Sequence, residues 1–83
     1  MSTAIIFLTK EGGKLAERLV ARLPCSTIVP VQGGIAKTLA RVWQEHERMV
    51  CIMAAGIAVR SLAPLLRDKR TDPAAVVCDP QGR

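Results

Sequence analysis

The sequence predicts an α/β fold, a small three-layer sandwich with a mainly parallel, Rossmann-like sheet of about four strands. Four short apolar runs occur along the chain, and segments of helical length separate them. The third and fourth runs are apolar at every position, which is typical of strands covered on both faces. Strands that alternate with helices favour right-handed βαβ crossovers and a sheet with helices on both sides.

The first unit combines a strand at residues 4–8, a loop at 10–13 and an amphipathic helix. The helix is predicted by apolar residues at helical spacing: Leu15, Ala16, Leu19, Val20 and Leu23. Pro24 ends it, because proline lacks an amide hydrogen and disfavours helical geometry in the residue before it.

The second unit repeats this order. A strand is predicted at residues 25–31, a turn at Gln32-Gly33-Gly34, and a helix through about Glu45. Residues 49–53 then predict the third strand. A third helix is expected from about residue 57 to 66, and Pro64 should bend or restart it.

The fourth strand is predicted at residues 74–78, and Asp79-Pro80-Gln81-Gly82 follows it with the composition of a β-turn. A turn directly after a strand predicts a further strand. We therefore expect residues 1–83 to be an α/β domain or a fragment of one, with an unpaired sheet edge that favours association.

Size and composition narrow the class of protein. A single domain of 83 residues buries only roughly 60% of its unfolded surface, so its stability margin should be small. The net charge of +5 favours anionic partners. Because Phe7 and Trp43 are the only aromatic side chains and both lie in apolar patterns, we expect no nucleic-acid binding.

The apolar run near the first residue is too short to span a bilayer, and we expect a cytoplasmic protein without membrane association. Cys25, Cys51 and Cys78 are odd in number and widely spaced, so we expect free, largely buried thiols. No residues have metal-ligand spacing or form a nucleophile and base pattern. His46 is expected to cap a helix, and the catalytic residues remain unknown.

Ligands of open parallel sheets bind beyond the carboxyl ends of the strands, where helix N-termini present free amides. The loop before the third helix is the preferred candidate, because Gly56 permits close approach and Arg60 lies about one turn further on. The alternative is a plain turn with a solvated arginine. Gly12-Gly13 and Gly33-Gly34 resemble phosphate loops only loosely, since neither fits the P-loop pattern.

The charged segment 67–72 should connect the third helix to the fourth strand at the opposite edge of the sheet. It is interpreted either as a solvated connection with local ion pairs or as a contact for another domain or subunit. The candidate contact residues are Asp68, Lys69 and Asp72.

Residues 53–74 carry the pattern M-A-x-G-I-x-V-R-x-x-A-P-L-L-x-D-K-x-x-D-P-A. In this pattern the chain resembles the N-terminal part of the cobalamin biosynthesis protein G family, the cobalt-precorrin-5A hydrolases. The resemblance covers nearly all of the chain but a fraction of a complete family member, whose catalytic C-terminal domain would be absent.

The resemblance implies a hydrolase of anaerobic cobalamin (vitamin B12) biosynthesis that opens a tetrapyrrole lactone and releases acetaldehyde. Cobalt would be carried by the substrate, and the chain would need no cofactor of its own. Gly56, Ile57 and Arg60 are the implied substrate-binding residues, and the partners would be the cobalt-precorrin and the missing C-terminal part or another chain. The chain alone is expected to be inactive. A nonenzymatic interaction domain and a generic anion- or nucleotide-binding module are the alternatives.

Overall fold

The computed structural model describes residues 2–68 and 70–79 of the 83-residue chain. Within them the chain alternates strands and helices, which confirms the predicted α/β class. The strands are β1 (Thr3–Phe7), β2 (Ser26–Ile28), β3 (Arg48–Ile52) and β4 (Ala74–Cys78), and the helices are α1 (Lys10–Arg22), α2 (Ile35–Glu45) and α3 (Ala55–Leu62). The predicted turn at Asp79-Pro80-Gln81-Gly82 lies outside the described residues after Asp79.

The described strands form one parallel sheet with the order β2-β1-β3-β4. β1 lies at its centre, with Ile5 opposite Ile28 of β2 and Val50 of β3. β4 pairs with β3 along its whole length and forms one edge of the described sheet. Because parallel neighbours need crossover connections, each pair of consecutive strands is joined through one helix.

The helices cover both faces of the sheet. α1 packs on one face, where Ala16 is buried against Ile5 and Ile52. α2 and α3 pack on the other face, where Leu39 and Ala58 join a larger buried cluster. Successive residues of a strand point to opposite faces, which explains why β1 is apolar at every central position.

The start of α1 differs from the sequence prediction. Residues 10–13 were expected to form a loop, but the helix begins at Lys10, with Thr9 as its N-cap. The Thr9 hydroxyl accepts a hydrogen bond of 3.0 Å from the amide of Gly12. The glycine tolerates a helical position here because its missing side chain lets α1 lie directly on β1 and β3.

Gly12 packs closely against β1 and β3. A Cβ atom on Gly12 would lie 3.2 Å from Ile52 Cγ2, 3.2 Å from Phe7 Cβ and 3.3 Å from Thr9 Oγ1. The Phe7 Cβ atom is attached to the backbone of β1 and cannot move independently of the strand. Gly12 therefore lets α1 lie closer to the sheet than a residue with a side chain would without a shift of its neighbours.

The turn before α2 is also specific. Gly33 and Gly34 have φ values of 76° and 97°, which glycine adopts without strain. The buried Thr38 hydroxyl accepts a 3.0 Å hydrogen bond from the Gln32 amide, and its oxygen lies 2.9 Å from the carbonyl oxygen of Gly34, to which it can donate. These contacts fix the path of the chain into α2.

The bend predicted at Pro64 is confirmed. α3 ends at Leu62 and continues as a 3₁₀ turn, Ala63–Leu65, with the proline in its first turn. Since proline cannot donate to the preceding turn of an α-helix, a tighter turn replaces the helix at this position. α3 begins two residues earlier than the sequence indicated.

No helix in the described part of the chain is long and apolar enough to cross a membrane.

Cys51 lies in β3 and is fully buried beneath α2 and α3. Burial away from water, with a smaller effect of nearby Cys78, raises the pKa of the Cys51 thiol to about 11. Such a thiol is a poor nucleophile at neutral pH. The three cysteines are free, as the sequence predicted, but only Cys51 is buried: Cys78 is partly buried and Cys25 is exposed, so the predicted burial was wrong for Cys25.

The substitution Gly12→Ala should destabilise the fold, although alanine is the better helix former. We expect the free energy of unfolding to fall by about 1–3 kcal/mol, because the new methyl group meets the backbone-bound atoms of β1 and the side chain of Ile52. Urea unfolding followed by circular dichroism measures the change. An increase in stability would show that α1 does not pack this closely.

The raised pKa of Cys51 predicts a loss of stability at alkaline pH. Below pH 9 the thiol is protonated in both states, whereas above the ordinary value of 9.0 the unfolded chain releases a proton that the folded chain retains up to about 11. Between these values stability should fall more steeply in the natural chain than in Cys51→Ala. Urea unfolding across this pH range tests it, and parallel curves would contradict the assignment.

Candidate functional site

The candidate site lies at the carboxyl edge of the sheet, where all three helices begin. The chain leaves β1 towards β2 on one side and returns to β3 on the other, so the strand order reverses between β1 and β3. In open parallel sheets this reversal opens a crevice between the helices on the two faces. The N-termini of the helices border it and can be compared as binding sites.

The N-terminus of α1 is closed to an anion. Thr9 already occupies the Gly12 amide, and Gly12 is buried against the sheet. Glu11 adds a carboxylate in the first turn of the helix. A second negative charge would be repelled there, so the glycines after β1 are explained by packing rather than by phosphate binding.

The N-terminus of α3 is open. Its N-cap residue, Ala54, provides no side-chain hydrogen bond, and its first turn contains no acidic residue. In the described structure no oxygen accepts a hydrogen bond from the amides of Ala55 and Gly56. These amides, together with the positive end of the helix dipole, attract an acidic group.

Gly56, Ile57 and Arg60 share one face of α3, because residues three and four apart are neighbours on a helix. All three are exposed, and the Ile57 residue is 42% accessible. Arg60 forms no ion pair with the described residues. A guanidinium group without a protein partner is available to a ligand at the start of the helix.

Gly56 is not explained by the backbone. Its φ lies outside the left-handed region, and a Cβ atom placed on it would meet no atom within 4 Å. A plain turn would not require glycine at this position. The bare amide leaves the first turn of α3 accessible, as the approach of a ligand would require.

The N-terminus of α2 is a second open helix start at the same edge. Gly34 provides no side-chain cap, and the first turn contains no acidic residue. A Cβ atom on Gly33 would lie 3.6 Å from Lys37 Cδ, so the lysine side chain runs back over the turn. The sequence signal was the lysine three residues after the glycine pair, without a capping residue between them.

The segment between α3 and β4 lies at the opposite, amino edge of the sheet. One Asp72 carboxylate oxygen accepts hydrogen bonds from the amides of Arg67, at 2.8 Å, and Asp68, at 3.1 Å. The Asp68 carboxylate accepts one from the Arg70 amide at 2.9 Å and also contacts its exposed guanidinium at 3.7 Å. Both carboxylates therefore shape the loop, and Lys69 lies outside the described residues.

His46 is the C-cap residue of α2, and its amide donates to the carbonyl oxygen of Val42. Its Nδ1 atom is buried without a hydrogen-bond partner in the described structure. It lies at the amino edge, far along α2 from the candidate site.

Among residues 2–68 and 70–79 no group of histidine, cysteine and acidic side chains could hold a metal ion.

The carboxyl edge carries groups that attract anions. It combines the open amides of two helices with one arginine and one lysine. General acid and base catalysis would also need a titratable group against the reacting atom. The buried Cys51 thiol, with its raised pKa, does not meet that need.

The comparisons with known proteins agree with one another. A family model described as cobalamin synthesis G N-terminal matches residues 37–83, which include Gly56, Ile57 and Arg60. The cobalt-precorrin-5A hydrolase of Salmonella typhimurium is 42% identical over a 92-residue alignment that covers 99% of this chain and 26% of that protein. The cobalt-precorrin-5A hydrolase of Priestia megaterium is 38% identical over a 95-residue alignment that covers 95% and 25%.

The fold also matches a solved structure, described as a cobalamin biosynthesis protein G homologue from Sulfolobus solfataricus. The TM-score is 0.73 and the identity 21%, over 98% of this chain and 26% of that one. The chain spans about a quarter of the length of the curated relatives it matches. On the match over residues 37–83, this chain belongs to the cobalamin synthesis G N-terminal family.

Proposed function

We propose that this chain is the N-terminal substrate-binding part of a cobalt-precorrin-5A hydrolase, which opens a tetrapyrrole lactone and releases acetaldehyde in anaerobic cobalamin biosynthesis. The observation that carries the proposal is the open N-terminus of α3, where Gly56, Ile57 and Arg60 share an exposed face. The names of the relatives support a cobalt-precorrin-5A hydrolase, and the open helix start offers groups that attract an anion.

The substrate rim carries acetate and propionate groups, and one carboxylate fits the start of α3. Its oxygens would accept hydrogen bonds from the amides of Ala55 and Gly56, while Arg60 approaches from the next turn. Ile57 would contact the apolar part of the macrocycle. Hydrogen bonds to a charged group contribute about 1.5–3 kcal/mol each at best, so a single carboxylate would bind only weakly.

A second contact point would raise this affinity. The start of α2 lies at the same edge and on the same face of the sheet, with Lys37 over its turn. A tetrapyrrole with several rim carboxylates can engage both helix starts at once, and the second contact is then favoured by proximity. We assign substrate holding to these two helix starts.

Catalysis is assigned to the part of the family protein that lies outside the match. The chain spans about a quarter of the relatives' length, and its anion site offers no group suited to activating water. The cobalt ion would arrive with the substrate. This chain would then hold the tetrapyrrole while residues of the remaining polypeptide act on the lactone.

Assembly is a second proposed role, favoured by the edge strand β4. It is apolar at every position, yet Val76 and Val77, on opposite faces, are 56% and 37% accessible. An edge strand with free backbone groups pairs readily with another strand. We propose that the remaining part of the family protein, or another chain, adds a strand along β4.

The substitution Arg60→Ala should weaken substrate binding by roughly tenfold, about 1.4 kcal/mol, because it removes the cation that faces the bound carboxylate. Isothermal titration of the chain with cobalt-precorrin-5A measures the dissociation constant. Arg22→Ala removes the same charge at the far end of α1 and should leave the affinity unchanged. Equal affinity of the Arg60 variant and the natural chain would remove the assignment.

The substitution Gly56→Ala separates stability from binding. Alanine forms helices better than glycine by up to about 1 kcal/mol, and its methyl group meets no neighbour, so the fold should become more stable. The same methyl group stands over the amides that hold the carboxylate and should weaken binding. Urea unfolding and titration with the same substrate measure the two effects. Greater stability with unchanged affinity would mean that no ligand approaches α3 here.

A further inference from the structure

The face of the sheet that carries α1 has a groove beside this helix, and nothing in the described chain fills it. A cavity of about 480 Å³ is lined by Leu15, Arg18, Leu19 and Arg22. We use the name α1 groove for this cavity together with the exposed part of β4 on the same face of the sheet. It is separate from the carboxylate site, because its lining runs along α1 towards the amino edge of the sheet.

The packing of α1 determines which strands the groove faces. One side of the helix is near β2, where the Ser26 hydroxyl lies 3.5 Å from the carbonyl oxygen of Val20. The other side carries Leu15 and Leu19. The direction of a right-handed helix running antiparallel to the strands turns this second side towards β3 and β4.

The floor of the groove is apolar and uncovered. Val76 lies directly opposite Val50, so both side chains are on the face that carries α1. Val50 is half-buried in the cluster beneath α1, whereas Val76 is 56% accessible. Exposing the apolar side chain of Val76 to water is unfavourable in free energy, and packing of another element over it would remove this penalty.

The rim of the groove is basic. Arg18 and Arg22 are four residues apart on α1 and are both exposed, and neither forms an ion pair with the described residues. Glu17 lies on the other side of the helix. An element that packs on Leu15 and Val76 would place its own edge against two unpaired guanidinium groups.

We propose that the α1 groove binds an amphipathic helix with acidic residues along one edge. A helix packs beside another at 8–10 Å and can cover both the leucines of α1 and the exposed valine of β4. The acidic edge would pair with Arg18 and Arg22. The relatives are about four times as long as their match to this chain, and we assign the helix to that additional polypeptide.

The connection rules fix where such a helix would occur. A right-handed crossover from β4 to a parallel neighbour on its free edge places the connecting helix on the face of α2 and α3. The helix in the α1 groove therefore comes after that neighbouring strand. It would pack antiparallel to the sheet, as α1 does, and close the second open face of β4.

Two synthetic peptides of about five helical turns test the charge and the apolar contact. Both carry the same leucine stripe, and one has glutamates and the other lysines along one edge. Isothermal titration of the 83-residue chain at low salt should show the glutamate peptide binding about tenfold tighter. Arg18→Glu with Arg22→Glu should reverse the preference, and Val76→Asp should weaken both peptides about tenfold.

The control is Arg41→Glu with Arg67→Glu, which makes the same charge change at exposed residues outside the groove and should keep the preference of the natural chain. Equal binding of the two peptides, no binding of either, or an equal effect of the control would overturn the proposal. So would a dimer in sedimentation that Val76→Asp dissociates, since a second copy would then fill the groove. Arg60→Ala should leave peptide binding unchanged, which separates this proposal from the carboxylate site.

Discussion

The pairing of β1 with β3 is the interaction on which the rest of the structure depends. All five residues of β1 lie opposite residues of β3, and Ile5, Ile6 and Ile52 are completely buried between the helices. This pairing brings the first and third strands together after two crossovers, from β1 to β2 and from β2 to β3. It also creates the reversal of strand order that opens the carboxyl edge to a ligand. A shift of one residue would turn each of these side chains to the opposite face.

The sequence was sufficient to predict the bounds of an element where its apolar periodicity agrees with its burial in the fold. The bounds of α2 and β4 match the predicted segments, because apolar residues recur at the spacing of a helix or fill a strand continuously. The predicted start of α1 was wrong, because glycine has a low helix propensity and the sequence therefore favoured a loop at residues 10–13. Only the packing of Gly12 against Phe7 and Ile52 shows why glycine occupies a helical position. Strand order also depends on long-range packing and could not be obtained from local patterns.

The position of the candidate site could be predicted from the sequence, but the ranking of its helix starts could not. Arg60 and Gly56 could be placed near a helix start from the strand and turn before them. The sequence could not rank the three helix starts, because the ranking depends on hydrogen bonds. Thr9 closes α1, whereas α2 and α3 lack side-chain caps. The position of Lys37 over its own turn is likewise a property of the folded chain.

The distribution of charge explains how the proposed binding and assembly roles can coexist on so small a domain. At the amino edge, Asp68 and Asp72 use their carboxylates to hold the amides of their own loop, so that edge presents few free donors. At the carboxyl edge the first amides of α2 and α3 have no such side-chain partners. The third side, along β4, exposes the apolar side chains of Val76 and Val77. The carboxylate site relies on charge, whereas the edge of β4 relies on backbone hydrogen bonds and apolar contact. Salt should therefore weaken ligand binding at the carboxylate site more than strand pairing along β4. A substitution at one of these surfaces can then change its binding without changing binding at the other.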